Sequence, residues 1–574
     1  MNSRLFYRLT AIFILLLVAG TATSSTISTA QSPHKVARSS WERISDAEEA
    51  GLLSPERALL YRALALLDRG RLPYDMRDAH PEKCGTPLLV ELEARWWALP
   101  PETRSSLSQW PVAPEARGLT SAQIRPVLSG PERLLSAPHF LIHYTLAGMD
   151  AVASTDSNSN GTPDYVDQVA EAMEHSRAVQ IETLGWLEPP SDEPVDPGQP
   201  LYDVYVMNLG AYGETWPEEI KGDNEHSPSI VEPYARYSHV RIDSDLPSDI
   251  LQVTSAHEYH HAIQFGYNAA SEGFDTRLWL IEGTATWMED QVYDDIDNNL
   301  GYLERLFAQP DRSLAERDYA YVYRTWLFFQ YLEEHCGGQN TMRIVWENAV
   351  PLSGDFAFQI VRKALETHGC YLEDTFVSFC VANLVLLPCE LSPGPHCYQD
   401  APLYLDRVGR PTIEGRVLLH NGETAYIPPD GVRQFSCDYI RIDSQAALIA
   451  AGGYSPSPAV VLQGTWTGKK DTSVEVVSFP FLHDPAPPDT AVSPTRYDAL
   501  HLVAANLTDP TGAQLEAASY GVMLRVLDPS TPTPTPSATP RPTPTPRPTP
   551  TPTVSPTPTK VPVRVGLPMV MVGR

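Results

Sequence analysis

The chain of 574 residues contains no CxxC pair; its seven cysteines stand singly. That excludes a thiolate zinc motif and, in an exported protein, allows up to three disulfides with one thiol left over. Basic residues are also scarce. Lys and Arg total 42 against 71 Asp and Glu, a formal charge of −29, and a surface of that sign has no electrostatic basis for holding nucleic acid or an anionic membrane. Long hydrophobic runs are missing as well: the apolar stretches at 11–19 and in the tail 561–574 fall short of the roughly 20 residues that a spanning helix needs. What is present is a 42% hydrophobic composition, enough for two or three domains with real cores, and 54 prolines that signal long linkers.

Chemistry concentrates between residues 254 and 290. The stretch TSAHEYHHAIQFGYN contains HExxH as His257, Glu258 and His261. On a helix the i, i+4 spacing puts both imidazoles on one face, where they can reach a single metal ion. Glu258 is then poised as the general base that takes a proton from water and later returns it to a leaving amine. His260 is read as a histidine beside the ligands or facing solvent. The metzincin pattern HExxHxxGxxH fails, because Gln264 and Tyr267 occupy its glycine and third-histidine positions.

A second apolar segment, WLIEGTATWME from Trp279 to Glu289, resembles the WLxEGxAxxxxE helix of the gluzincins, the thermolysin- and aminopeptidase-like zinc peptidases. Together with a strand, an Asp/Asn-rich loop and a terminal β-domain, over about residues 135–527, the chain resembles exported bacterial metalloproteases of that type. The resemblance implies a zinc site of His257, His261 and Glu282 with the fourth position open for water. It also places Glu289 behind a ligand histidine and supplies an oxyanion donor from the later tyrosines: Tyr323, with Tyr321 and Tyr319 as competitors. Thr286 stands where thermolysin-like enzymes have an orienting aspartate, and the aminopeptidase GxMEN segment is absent. That combination points to an endopeptidase acting on protein or peptide substrates.

The remaining organisation follows chain order. Arg4 and Arg8, the apolar run 11–19 and small residues through 24 have the layout of a secretory signal peptide, assigned to 1–30, so the mature protein is expected outside the cell without a membrane span. Residues 31–130 read as helical, with starts at 44–46 and at Ser54-Pro55-Glu56, and constitute a propeptide or a helical subdomain. The segment 131–405 is the zincin-like domain. Within it, DSNSNGTPDYVD resembles a calcium loop with donors Asp156, Asn158, Asn160, Thr162, Asp164 and Asp167; the alternative is an Asx-rich turn capping the helix that follows. The DYAYVYRTWLFFQYLEEHCGG stretch reads as one amphipathic helix ending at Gly337. Short alternating runs over 411–528 argue an all-β sandwich. A Thr-Pro spacer, 529–560, then holds the tail 561–574, read as a surface-association segment. The expected class is α+β, with zinc as catalytic ion and calcium as a structural one. Two rival functions stay open: a catalytically inactive zinc-stabilised surface protein, and a calcium-dependent adhesin.

Overall fold

Helix starts are set by local side-chain chemistry. Ser39 accepts a hydrogen bond from the backbone N–H of Glu42, and the Glu42 carboxylate accepts one from the Ser39 N–H at 2.8 Å, a capping box that opens the helix Ser40–Glu49. The start expected at 44–46 therefore lies inside that helix. Ser54 and Pro55 open the next, Pro55–Leu67, as expected. The computed structural model describes residues 27–29, 39–78, 80–191, 200–267, 277–351, 357–456, 461–482, 490–509 and 517–527. The apolar run at 11–19, the Thr-Pro spacer and the tail lie outside the described residues.

The chain is mixed α+β, helical first and strand-rich after residue 411. A short strand, β1 (Ile27–Thr29), pairs with the edge of the C-terminal sheet. The site rests on a different, six-stranded sheet built from β2 (Glu82–Cys84), β3 (Glu132–Ser136), β4 (Phe140–Thr145), β5 (Tyr202–Met207), β6 (Ala211–Gly222) and β7 (Ala235–Asp243). Its order is β2-β6-β7-β5-β4-β3, with β4, β5 and β7 parallel and β6 antiparallel to β7. Every residue of β4 and β7 is buried, as expected for the middle of a sheet covered on both faces.

Two helices lie over this sheet. The histidine helix, Ser248–Gly266, packs on β6 and β7 and against the glutamate helix, Leu278–Val292. Both are buried on nearly every side, so neither shows the one-sided apolar stripe of a surface helix. The N-terminal helices are not a separate body: Trp41, Leu59, Leu66 and Leu88 share one apolar core with Tyr259, Trp279 and Trp326. Through β2 the same region contributes a strand to the central sheet.

The tyrosine-rich stretch expected to be one helix is divided. Residues 318–321 form turns, Val322–Thr325 is a 3-10 turn, and the α-helix runs only from Trp326 to His335. Beyond residue 411 the hydrogen-bonded strand order runs from Gly415–Leu418 through Ser436–Asp443, Ala499–Asn506, Leu462–Lys470, Ser473–Leu482, Ile449–Tyr454 and Gly521–Val526 to Glu423–Tyr426. These strands share a second apolar cluster that includes Val417, Ile440, Trp466, Leu502 and Leu524. Among the described residues no helix is long and apolar enough to cross a membrane.

Six of the seven cysteines pair, as Cys336–Cys370, Cys380–Cys437 and Cys389–Cys397, and Cys84 stays free and buried. Cys380–Cys437 ties the helix Leu372–Val385 to the strand Ser436–Asp443 across a separation of 57 residues. Replacing both of these cysteines by alanine should lower the stability of the oxidised protein by about 2–5 kcal/mol, because a cross-link closing so long a loop restricts the unfolded chain. A denaturant titration with an unchanged midpoint would contradict this.

Candidate metal centre

Two helices bring three donors together. The Nε2 atoms of His257 and His261 are 3.1 Å apart, and each lies 3.3 Å from an oxygen of Glu282. All three side chains are buried. Nitrogen and oxygen ligands of zinc sit about 2.0–2.2 Å from the ion, so the edge of a tetrahedral site is about 3.3 Å. The observed separations match that edge.

Protonation makes the arrangement more specific. His257 Nδ1 donates to Glu289 Oε1 at 2.7 Å, since a carboxylate can only accept. His261 Nδ1 faces Gln264 Oε1 at 2.8 Å, and the amide is oriented by its Nε2, which donates to the Ile281 carbonyl and to Thr284 Oγ1. With both Nδ1 atoms engaged, both rings turn their Nε2 atoms to one point. Glu282 directs its oxygens to that point too, and neither of them accepts a hydrogen bond of good geometry. Lone pairs converging in a buried space repel one another unless a cation lies between them, and the donor set fits zinc.

The same field is visible in proton affinities. Burial works against a charge on His257, but Glu282 and Glu289 outweigh it and raise its pKa to about 9. Burial would raise the Glu282 pKa; instead His261 and His257 pull it down to about 2. Glu289 is likewise held below its usual range, against its burial, by Lys83 and His257. Lys83 is the buried counter-charge, with Nζ 2.8 Å from Glu289.

Glu258 is fully buried on the histidine helix. Its Oε2 accepts from Thr215 Oγ1 at 2.8 Å and from Thr86 Oγ1 at 3.1 Å, and its Oε1 has no partner among the described residues. Strand β6 runs directly beneath: a Cβ on Gly213 would lie 2.7 Å from Glu258 Cγ, so only glycine permits this approach. Tyr323, the expected oxyanion donor, is buried with an unpartnered hydroxyl, and its ring centre is 6.1 Å from that of His257. Burial first, and then the charges of Glu282 and Cys84, push its pKa well up. Its competitors are engaged elsewhere: the Tyr319 hydroxyl donates to Glu91, and the Tyr321 ring lies beneath the Arg312 guanidinium at 3.9 Å. His260 does not face solvent; it is buried next to His261 in the helix, with Nδ1 3.0 Å from Gln180 Oε1 and its ring edge-on to Trp186.

Where the fourth position was expected to be open, the structure has a further donor atom nearby. Cys84 Sγ lies 3.4 Å from His261 Nε2, and the ligand atoms of Cys84, His257, His261 and Glu282 are all within 4.8 Å of one another. Cys84, Lys83, Thr86 and Gln264 were not identified as site residues from the sequence. The signal for Cys84 was its odd number: three disulfides leave one thiol over. Comparison of the chain with protein-family models, with curated proteins and with solved structures finds no match.

The Asp/Asn-rich loop is held by hydrogen bonds among its own residues, and the helix that follows it, Asp164–Arg177, has no side-chain cap. Asp156 accepts from the Asn160 and Gly161 N–H groups, and Asn160 accepts from the Thr162 N–H. Asp164 accepts from Ser157, and Asp167 accepts from the amides of Asn158 and Asn160. Gly161 has φ +92, the conformation that requires glycine there.

Glu289→Gln removes the charge that orients His257 and should weaken metal retention about 10–100-fold. Competition with a chelator, following zinc content, measures this; retention equal to that of the unmodified chain would mean that Glu289 does not support the ligand.

Proposed function

We propose that this chain is an exported zinc-dependent peptidase, an endopeptidase, with His257, His261 and Glu282 as metal ligands and Glu258 as general base. The observation that carries the reading is the convergence of three lone-pair donors beside a buried glutamate that has one oxygen unused. The three disulfides and the absence of a membrane-spanning helix among the described residues fit an extracellular protein.

Zinc, when bound, supplies a Lewis acid that polarises a carbonyl and makes a water more acidic. Glu258 Oε1 accepts the proton of that water, while Thr215 holds the other oxygen and so fixes the plane of the carboxylate. The same oxygen returns the proton to the leaving amine. Tyr323 offers its hydroxyl to the developing oxyanion.

One observation favours a second reading. A four-donor zinc site with no open position is the hallmark of a structural ion, and Cys84 closes this one, which suits a catalytically inactive surface protein. Hydrolysis separates the two. Casein cleavage, assayed on the intact chain and after limited proteolysis, should be lost on chelation. Glu258→Gln should keep a stoichiometric zinc and lose about 10²–10⁴ in rate. Cleavage undiminished in that variant would remove the mechanism; no cleavage in any form would favour the structural site.

A further inference from the structure

Three of the four donors come from two helices buried in the core; the fourth comes from the edge strand β2. That strand holds to β6 through the pairs Glu82↔Ala211 and Cys84↔Gly213, with the Glu82 N–H donating to the Gly210 carbonyl at 2.9 Å and the Gly85 N–H to the Gly213 carbonyl at 3.0 Å. Gly85 is what allows the approach, because a Cβ there would lie 2.7 Å from Glu214 Oε2. The five residues from Glu82 to Thr86 touch every working part of the site. Lys83 pairs with Glu289 behind His257, Cys84 Sγ lies 3.4 Å from His261 Nε2, and Thr86 donates to Glu258 Oε2 at 3.1 Å while accepting from the Thr215 N–H at 2.7 Å.

For a zinc site with one sulfur arm of about 2.3 Å and one nitrogen arm of about 2.0–2.1 Å, the tetrahedral S–N edge is about 3.5 Å. Cys84 stands at that distance. A purely structural site has no use for a buried glutamate with an unpartnered oxygen, nor for the unpartnered hydroxyl of Tyr323; both are groups awaiting something that Cys84 displaces.

Building on the peptidase reading, we propose that Cys84 is the fourth zinc ligand of a latent form, and that the Glu82–Thr86 segment is a built-in inhibitor that keeps this thiol at the metal until the thiol is removed or the segment withdrawn. Withdrawal exchanges a thiolate for solvent at the ion and returns a proton to the sulfur; no bond to carbon changes and no oxidant is needed. The buried contacts of the preceding helices hold the segment in place, so release requires displacing or cutting the region before residue 131.

The test uses the full chain loaded with cobalt or zinc. The cobalt form should show the intense near-ultraviolet absorption of a thiolate ligand, and Cys84→Ser should lose that absorption while keeping the ion. X-ray absorption on the unmodified zinc-loaded chain should find one sulfur at about 2.3 Å, which decides ligation without relying on a variant that folds. Casein hydrolysis by Cys84→Ser should exceed that of the intact chain by at least roughly 10-fold, because a position open in a tenth or less of molecules limits the rate by that fraction. The unmodified chain treated with an organomercurial should show the same rise, and Glu258→Gln should abolish it in both. No sulfur at the metal would overturn the proposal and leave the peptidase reading intact if casein is cleaved. Sulfur present but no gain in hydrolysis after either thiol treatment would also overturn it, and would assign the ion a structural role.

Discussion

The structure depends on the meeting of two imidazole lone pairs with one carboxylate in a space that excludes water. Such groups face one another at just over 3 Å only where something positive compensates them, and the surrounding framework is arranged to keep them facing. Glu289 and Gln264 take the outer ring nitrogens, so neither histidine can rotate to relieve the crowding. Lys83 balances Glu289, and Gln264 is itself anchored to the glutamate helix through the Ile281 carbonyl and Thr284. The two helices are joined by these polar contacts as much as by apolar packing.

That arrangement explains why both helices are buried all round. A desolvated cluster requires walls on every side, and they come from distant parts of the chain: β6 beneath Glu258, Tyr323 beside His257, and the N-terminal segment across the top. A region from Trp41 to Ile124 that shares a core with the later helices cannot be treated as an appendage. The closure seen at Cys84 is the local expression of that shared core.

Several features were legible in the sequence because they depend on local rules. HExxH has one helical geometry, and its two histidines stand on one face of the helix Ser248–Gly266. The Ser54-Pro55 start holds for the same reason. Where expectation failed, the deciding partner lay elsewhere. The tyrosine-rich run is helix-forming by pattern, yet residues 318–321 turn so that Tyr319 reaches Glu91 and Tyr321 lies under Arg312. Glu289 stands behind His257 as expected, but its counter-charge, Lys83, comes from strand β2 and could not be read from the helix.

The sequence by itself determined the identity and spacing of His257, Glu258 and His261, the β character after residue 411, the linker composition and the count of one unpaired thiol, all of which follow from neighbouring residues. Only the tertiary structure decided that Glu282 faces the histidines, that Glu289 and Gln264 hold them, and that the unpaired thiol lies beside them. Cys84 and His261 are separated by 177 residues; no local pattern carries that distance, and only the parallel pairing of β2 on β6 turns an isolated cysteine into a neighbour of the metal ligands.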